Sequence, residues 1–144
     1  MPSLRVGRTV RPPDFVISAD DPMQPYMLRW YLIPRNRWFN VYLHKIMRSD
    51  DERARHDHPW LNISVLLKGR YIEVVDGGWW KARRAGDVVF RRATTAHRLI
   101  VLPGEHVWSL FITGPKIREW GFHCANGWRH WTDFVQRAIG RGCD

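Results

Sequence analysis

Little in this chain can hold it together from outside. Cysteine occurs only at Cys124 and Cys143, so at most one disulfide is available and the fold must rest on a buried core. Two free thiols are the simpler expectation. No apolar run approaches 18 residues, which argues against a membrane-spanning helix. No apolar stretch follows Met1-Pro2-Ser3-Leu4-Arg5, so no signal peptide is expected and a cytoplasmic location is the natural assignment. The sequence also lacks a G-x-S-x-G nucleophile elbow, a phosphate-binding loop and a dinucleotide fingerprint. Any chemistry must therefore come from another kind of site.

Acidic residues are few, 14 against 23 basic ones, giving a formal charge of +9. Lysine is scarce too: Lys45, Lys68, Lys81 and Lys116 leave 23 − 4 = 19 arginines. A basic surface favours anionic partners. Yet the arginines are scattered from Arg5 to Arg141 without a dense tract. An incidental basic surface is therefore favoured over a nucleic-acid-binding face.

What is present is apolar and aromatic. With 144 residues, 44% hydrophobic content and nine tryptophans, the chain suits one domain with a real core. Residues 1–25 hold five prolines and read as an arm lying over that domain. Strands are expected at 27–33, 38–47, 61–67, 71–75, 79–83, 87–92, 97–102 and 106–113, broken by turns such as Asp76-Gly77-Gly78 and Pro103-Gly104. Many short strands with close turn signals indicate an antiparallel sandwich or barrel. From Gly127 to Ile139 the period changes. Trp131, Phe134, Val135 and Ala138 fall on one helical face, so a short C-terminal helix is expected to pack outside the barrel. Its aromatics serve core packing in preference to a homodimer contact. The expected organisation is an arm (1–25), a barrel (26–126), and a helix with tail (127–144).

The most informative stretch is Arg55-His56-Asp57-His58-Pro59-Trp60-Leu61-Asn62, entering the apolar run Ile63-Ser64-Val65-Leu66-Leu67. If it is one strand, residues two apart share a face, so His56, His58, Trp60, Asn62, Ser64 and Leu66 project together and Asp57 points away. Two imidazoles at that spacing can share one metal ion. Gly69 follows at the strand end, and later come Gly86 and His97. This arrangement resembles the two-part signature of the cupin superfamily. His56, His58 and Gly69 match the first part, and Gly86 and His97 the second. Asp50, Asn62, Arg92, Thr94 and Val101 depart from it, and Asn62 stands where the family has a glutamate. The pattern over the whole chain is similar to small bacterial and phage cupins.

The resemblance implies an all-β, double-stranded β-helix (jelly-roll) barrel in which His97 joins His56 and His58 at a divalent metal. Fe(II) is favoured, with Zn, Mn or Ni as alternatives. Asn62 is the candidate fourth residue, holding a bound water in preference to ligating the ion. Trp60, on the histidine face, is a candidate substrate-pocket wall, and His44 a weaker one. The function expected first is a metal-dependent enzyme acting on a small molecule, for which the resemblance suggests an Fe(II) dioxygenase. A non-catalytic module for a small anion, sugar or nucleic acid, and a metal-dependent isomerase or lyase, are the alternatives.

Overall fold

In the computed structural model, which describes residues 11–17, 23, 25–49 and 54–135, twelve strands form two antiparallel sheets. The strands are β1 (Phe15–Ile17), β2 (Met27–Tyr31), β3 (Asn40–Ile46), β4 (Arg55–His56), β5 (Asn62–Lys68) and β6 (Arg70–Val75). After them come β7 (Trp80–Arg84), β8 (Val88–Arg91), β9 (His97–Ile100), β10 (Val107–Thr113), β11 (Gly121–Cys124) and β12 (Gly127–His130). The first sheet runs β1-β2-β3-β10-β5-β8 and the second β12-β11-β4-β9-β6-β7. Strands distant in sequence lie side by side, as in a jelly roll. All eight strands expected from the sequence are present within two residues of their expected ends.

The long strands follow their sequence period. Along β3 and β10, seven residues each, buried positions alternate with partly exposed ones, so one set of side chains lines the interior. Ile46 pairs with Val107 at one end of these strands, while Asn40 pairs with Thr113 at the other. Met27, Ile46, Leu66, Tyr71, Leu99, Val101 and Val107 form the apolar core. The opposite end of the inner face is polar: Thr113 lies opposite Asn62, and Asn62 opposite Arg91. Gly69 makes the return from β5 to β6 possible. It adopts φ +85°, and a Cβ there would collide with the His106 carbonyl oxygen.

Three expectations change. The continuous strand proposed through residues 56–67 is two strands in different sheets, β4 ending at His56 and β5 beginning at Asn62. Pro59 has no N–H for a ladder, and its carbonyl accepts instead from the Ile117 and Arg118 amides (2.8 and 3.3 Å). The helix expected from Gly127 starts at Trp131: α1 spans Trp131–Val135, and residues 136–144, including Ala138, lie outside the described residues. Gly127 to His130 instead pair with β11, because the Ala125-Asn126 turn, followed by Gly127 at φ +121°, closes a hairpin. Finally, Cys124 is disulfide-bonded, not free. The chain's other cysteine, Cys143, lies outside the described residues. The thiols therefore lend no support to a cytoplasmic location. No helix among the described residues is long and apolar enough to cross a membrane.

Of the proline-rich arm, Phe15–Ile17 forms β1 on the edge of the first sheet, pairing with Met27 to Arg29. The Trp30 indole donates to the Arg11 carbonyl (2.7 Å), which fixes the start of this strand against the sheet.

Candidate metal centre

Three short segments converge on one point. His56 ends β4, His97 opens β9, and the two are register partners in the second sheet. His58 sits two residues past β4, where the chain crosses to the first sheet, held by its amide donating to Ala93 O (3.0 Å). One ring nitrogen from each of the three lies within 4.8 Å of the others. The ring centroids form a near-equilateral triangle of 5.1, 4.8 and 5.0 Å, with every pair of rings steeply inclined. His58 and His97 are buried, whereas His56 is partly exposed.

The donor chemistry suits a divalent ion. Burial, followed by the neighbouring histidines, lowers His58 well below the ordinary histidine value. Burial likewise lowers His97, to about 4, even though Glu73 pulls it upward. Both rings are therefore neutral near pH 7 and carry a lone pair for a metal. His58 Nδ1 is a buried nitrogen with no hydrogen-bond partner in the protein, an arrangement that leaves it open to a ligand. The residues present fit an imidazole-bound transition metal.

No protein-family model matches the chain, and no curated protein matches it. The architecture, however, matches solved structures. A Klebsiella pneumoniae protein with a double-stranded β-helix domain aligns with a TM-score of 0.56 at 15% identity, over 75% of this chain and 90% of that one. The Cupin_2 domain of an XRE-family transcriptional regulator from Enterobacter cloacae aligns at 0.51 and 13%, over 64% and 99%. The fold is that of a cupin. The polyketide cyclase RemF from Streptomyces resistomycificus shares it, with a TM-score of 0.55 and 18% identity over 76% of this chain and 77% of that one.

Within this fold, the support behind the histidines comes from a residue the sequence reading passed over. Glu73 on β6 is 1% exposed and accepts from His97 Nδ1 (2.6 Å). Burial alone would raise its pKa, but the His97 hydrogen bond and the Arg91 charge hold it well below the usual carboxylate range. Glu73 is thus an acceptor, so His97 carries its proton on Nδ1 and turns Nε2 to the centre. The other Glu73 contacts come from Arg91 Nε (2.6 Å) and from Arg83 Nε and Nη2 (3.1 Å each). A signal was available: Glu73 occupies an inward position of an otherwise apolar alternating strand.

Asn62 is completely buried. Its Oδ1 accepts from Arg91 Nη1 (3.3 Å), while its Nδ2 has no partner. The unpartnered Thr113 Oγ1 belongs to the residue opposite it. Trp60 stacks on His58 (5.5 Å, 23°) and meets Phe111 edge-on (5.5 Å). His44 is one step further along the wall, stacked on Phe111 (4.9 Å) and accepting from Arg29 Nε (2.9 Å). His56 packs near Trp120 and Phe122.

Asp57 turns away from the three histidines but is buried, not solvated. Its oxygens accept from Gly121 N (2.9 Å), His123 Nε2 (2.9 Å) and Trp128 Nε1 (3.0 Å), and pair with Arg118 (2.8 Å). Arg118 also donates to the His58 carbonyl (3.1 Å). The carboxylate between the two histidines therefore ties their loop to the C-terminal hairpin. Sequence parity gave its direction, but its partners lie more than 60 residues downstream.

Proposed function

We propose that this cupin is a metal-dependent enzyme acting on a small molecule, with His56, His58 and His97 holding one divalent ion. The observation that carries the reading is the convergence of three imidazole nitrogens, one set in its tautomer by a buried carboxylate. Bound there, the ion would supply Lewis-acid polarisation of a substrate oxygen and, as Fe(II), dioxygen chemistry. Three neutral ligands leave coordination positions for substrate. The protein's own part is to fix His97 through Glu73, hold the His58 loop through Asp57 and Arg118, and present Trp60 and Phe111 as a wall. Asn62, engaged by Arg91, takes an outer role beside the centre.

The test is metal content after purification without added metal, followed by dioxygen uptake and product analysis with a metabolite panel. His97→Ala should sharply lower metal occupancy while the barrel still folds. Asn62→Ala should weaken metal affinity or activity by about 10–100-fold, as for residues outside the ligand set. A folded wild-type protein that takes up no divalent ion would refute the reading and favour a non-catalytic binding module.

Assembly follows from the opposite face of the first sheet. Leu43, Leu110, Val65 and Val88 form one outward row across four strands, with Val41, Ile112, Ile63 and Phe90 beside it. At about 4.8 Å per strand, these two rows extend about 19 Å across the sheet. Contiguous apolar patches of this kind mark partner surfaces. We propose that a second copy of the chain covers it as a homodimer.

A further inference from the structure

The interior of this cupin has a charge imbalance. Glu73 is the one buried carboxylate among the described residues of the inner faces, and Arg83, Arg91 and His97 already occupy it. Arg29 has no such partner. It lies on the inner face of β2 as the register partner of His44, and its Nε donates to His44 Nε2 (2.9 Å). Its guanidinium lies over the Tyr42 ring at 4.4 Å. No carboxylate among the described residues pairs with it, and its two terminal amino groups have no hydrogen-bond acceptor there. Burial depresses its pKa, a sign that the charge has lost much of its hydration. A guanidinium in that state, with four N–H groups unspent, is matched by a carboxylate that accepts two parallel bonds.

The surroundings define the rest of the ligand. Tyr42 stacks on His44, His44 on Phe111, and Phe111 lies 6.4 Å from His58 and 5.5 Å from Trp60. A continuous chain of ring contacts thus runs from Arg29 to the three histidines, with Tyr42, His44 and Phe111 buried between its ends. Arg29, Trp60 and His56 are partly exposed, so both ends of this surface reach solvent. Near its Arg29 end, Arg35 adds a second positive charge over Tyr31 (5.5 Å). Linked to His97 through Arg91 and Glu73, the buried Asn62 Nδ2 is an unused donor.

We propose that Arg29 is an anion-recognition residue, and that the substrate is an organic acid whose carboxylate binds Arg29 while its flat or apolar body lies along Tyr42, Phe111 and Trp60. The proposal rests on the metal-site reading only in placing the reacting end at the histidines. A single partly buried guanidinium matches a monoanion better than a phosphate dianion.

The experiment titrates full-length protein with benzoate, with the neutral isostere benzamide, and with inorganic phosphate. It compares wild type, Arg29→Met, Arg29→Lys and His97→Ala, and the metal content of each preparation is measured in parallel. Benzoate should bind wild type with 1:1 stoichiometry. Arg29→Met should weaken it by about 10-fold or more, the usual range for a lost charged hydrogen bond. Arg29→Lys, which keeps the charge but not the fork, should fall between. Benzamide and phosphate should bind at least about 10-fold more weakly than benzoate. His97→Ala should retain benzoate binding. Equal binding of benzamide, tighter binding of phosphate, or no benzoate binding by folded wild type would overturn the proposal. So would binding that survives both Arg29 substitutions but disappears in His97→Ala, because the anion would then sit at the histidines. Absence of metal in wild type would sink the metal reading while leaving the Arg29 result standing.

Discussion

The inward face of the first sheet holds a large polar set beside the core residues Met27, Ile46, Leu66 and Val107, while its outward face is largely apolar, a departure from the usual order of a β-sandwich. Its inward face carries Asn40, His44, Asn62, Ser64, Arg91, Ser109 and Thr113, all buried. Its outward face carries Leu43, Ile63, Val65, Leu110, Ile112, Val88 and Phe90, with Val88 67% and Phe90 62% exposed. A sheet selected for monomer stability alone would have these sets exchanged, since each buried polar group costs free energy unless it is hydrogen-bonded. The difference assigns the two faces different work. Of the inner polar set, Asn62 Oδ1, Ser64 and Arg91 belong to the Glu73–Arg91 network, His44 accepts from Arg29 and Asn40 bonds Asn36, while Asn62 Nδ2 and Thr113 Oγ1 have no partner in the protein, as a site would leave them. The outer apolar set is suited to the proposed contact with a second copy. The second sheet supplies His56, His97 and Glu73, with His58 on the crossing between the sheets, so the first sheet's polar face is the wall opposite the site.

The comparison breaks most severely at Glu73. Replacing it with Gln leaves Arg91 and Arg83 buried or half-buried without their shared counter-charge. Loss of one partner from a buried ionic network costs about 3–5 kcal/mol. Denaturant unfolding of the metal-free protein should show a loss of that order, and His97 should lose its fixed tautomer. A loss below about 1 kcal/mol would mean that water already screens the network and the inner face is not dry.

The outer face is sharpened by Ile112→Asp, which places a carboxylate in the middle of the apolar rows. On a solvated monomer such a surface change typically alters stability by only about 0.5 kcal/mol. In a homodimer it buries an unpaired charge and should convert dimer to monomer at micromolar concentration in sedimentation or light scattering. Circular dichroism should be unchanged. If the wild type sediments as a monomer, the second copy is not what covers this face, and an intramolecular or foreign partner takes its place.

Both faces were partly legible in the sequence. The period-two alternation gave eight of the twelve strands and the inward direction of His56, His58, Asn62, Ser64 and Leu66, although the chain changes sheets between His58 and Asn62. The strands β1, β4, β11 and β12 were not foreseen: β1 and β4 have only three and two residues, and the hairpin of β11 and β12 runs into the stretch from Gly127 that the sequence pattern assigns to a helix. The histidine cluster was legible because His56 and His58 lie two residues apart in sequence and His97 is in a recognisable motif. Glu73, Arg29 and the partners of Asp57 were not, because their meaning depends on pairings across strands. Glu73 gains its role only when β6 lies beside β9, and Arg29 only when β2 lies beside β3. The outward apolar rows could have been read from the same alternation. Each strand by itself, however, reads as a fully buried one.

The smallest expected effect concerns His44, the inner-face residue farthest along the wall. Burial, and then the Arg29 charge, lower its pKa well below the ordinary 6.5. Its Nε2 accepts from Arg29, and Arg29 is the one charged group shown in contact with it among the described residues. Protonation would remove that acceptor and set two cations together. The folded protein therefore keeps His44 neutral at pH values where the unfolded chain, with an ordinary histidine, already binds a proton. Below about 6.5 the unfolded state holds more protons, so stability falls as pH is lowered, by up to about 1.4 kcal/mol per pH unit for one histidine. Above that value this contribution is fully present and flat. His58 and His97 add slopes of the same sign in metal-free protein, so the measurement must isolate His44. His44→Gln keeps an acceptor for Arg29 but does not titrate. Urea unfolding free energies between pH 7.5 and 5 should fall less steeply for this variant, by about one proton's worth of slope below pH 6.5. Equal slopes for the variant and wild type would mean that His44 is protonated in the folded state, with solvent reaching the wall between Arg29 and Phe111.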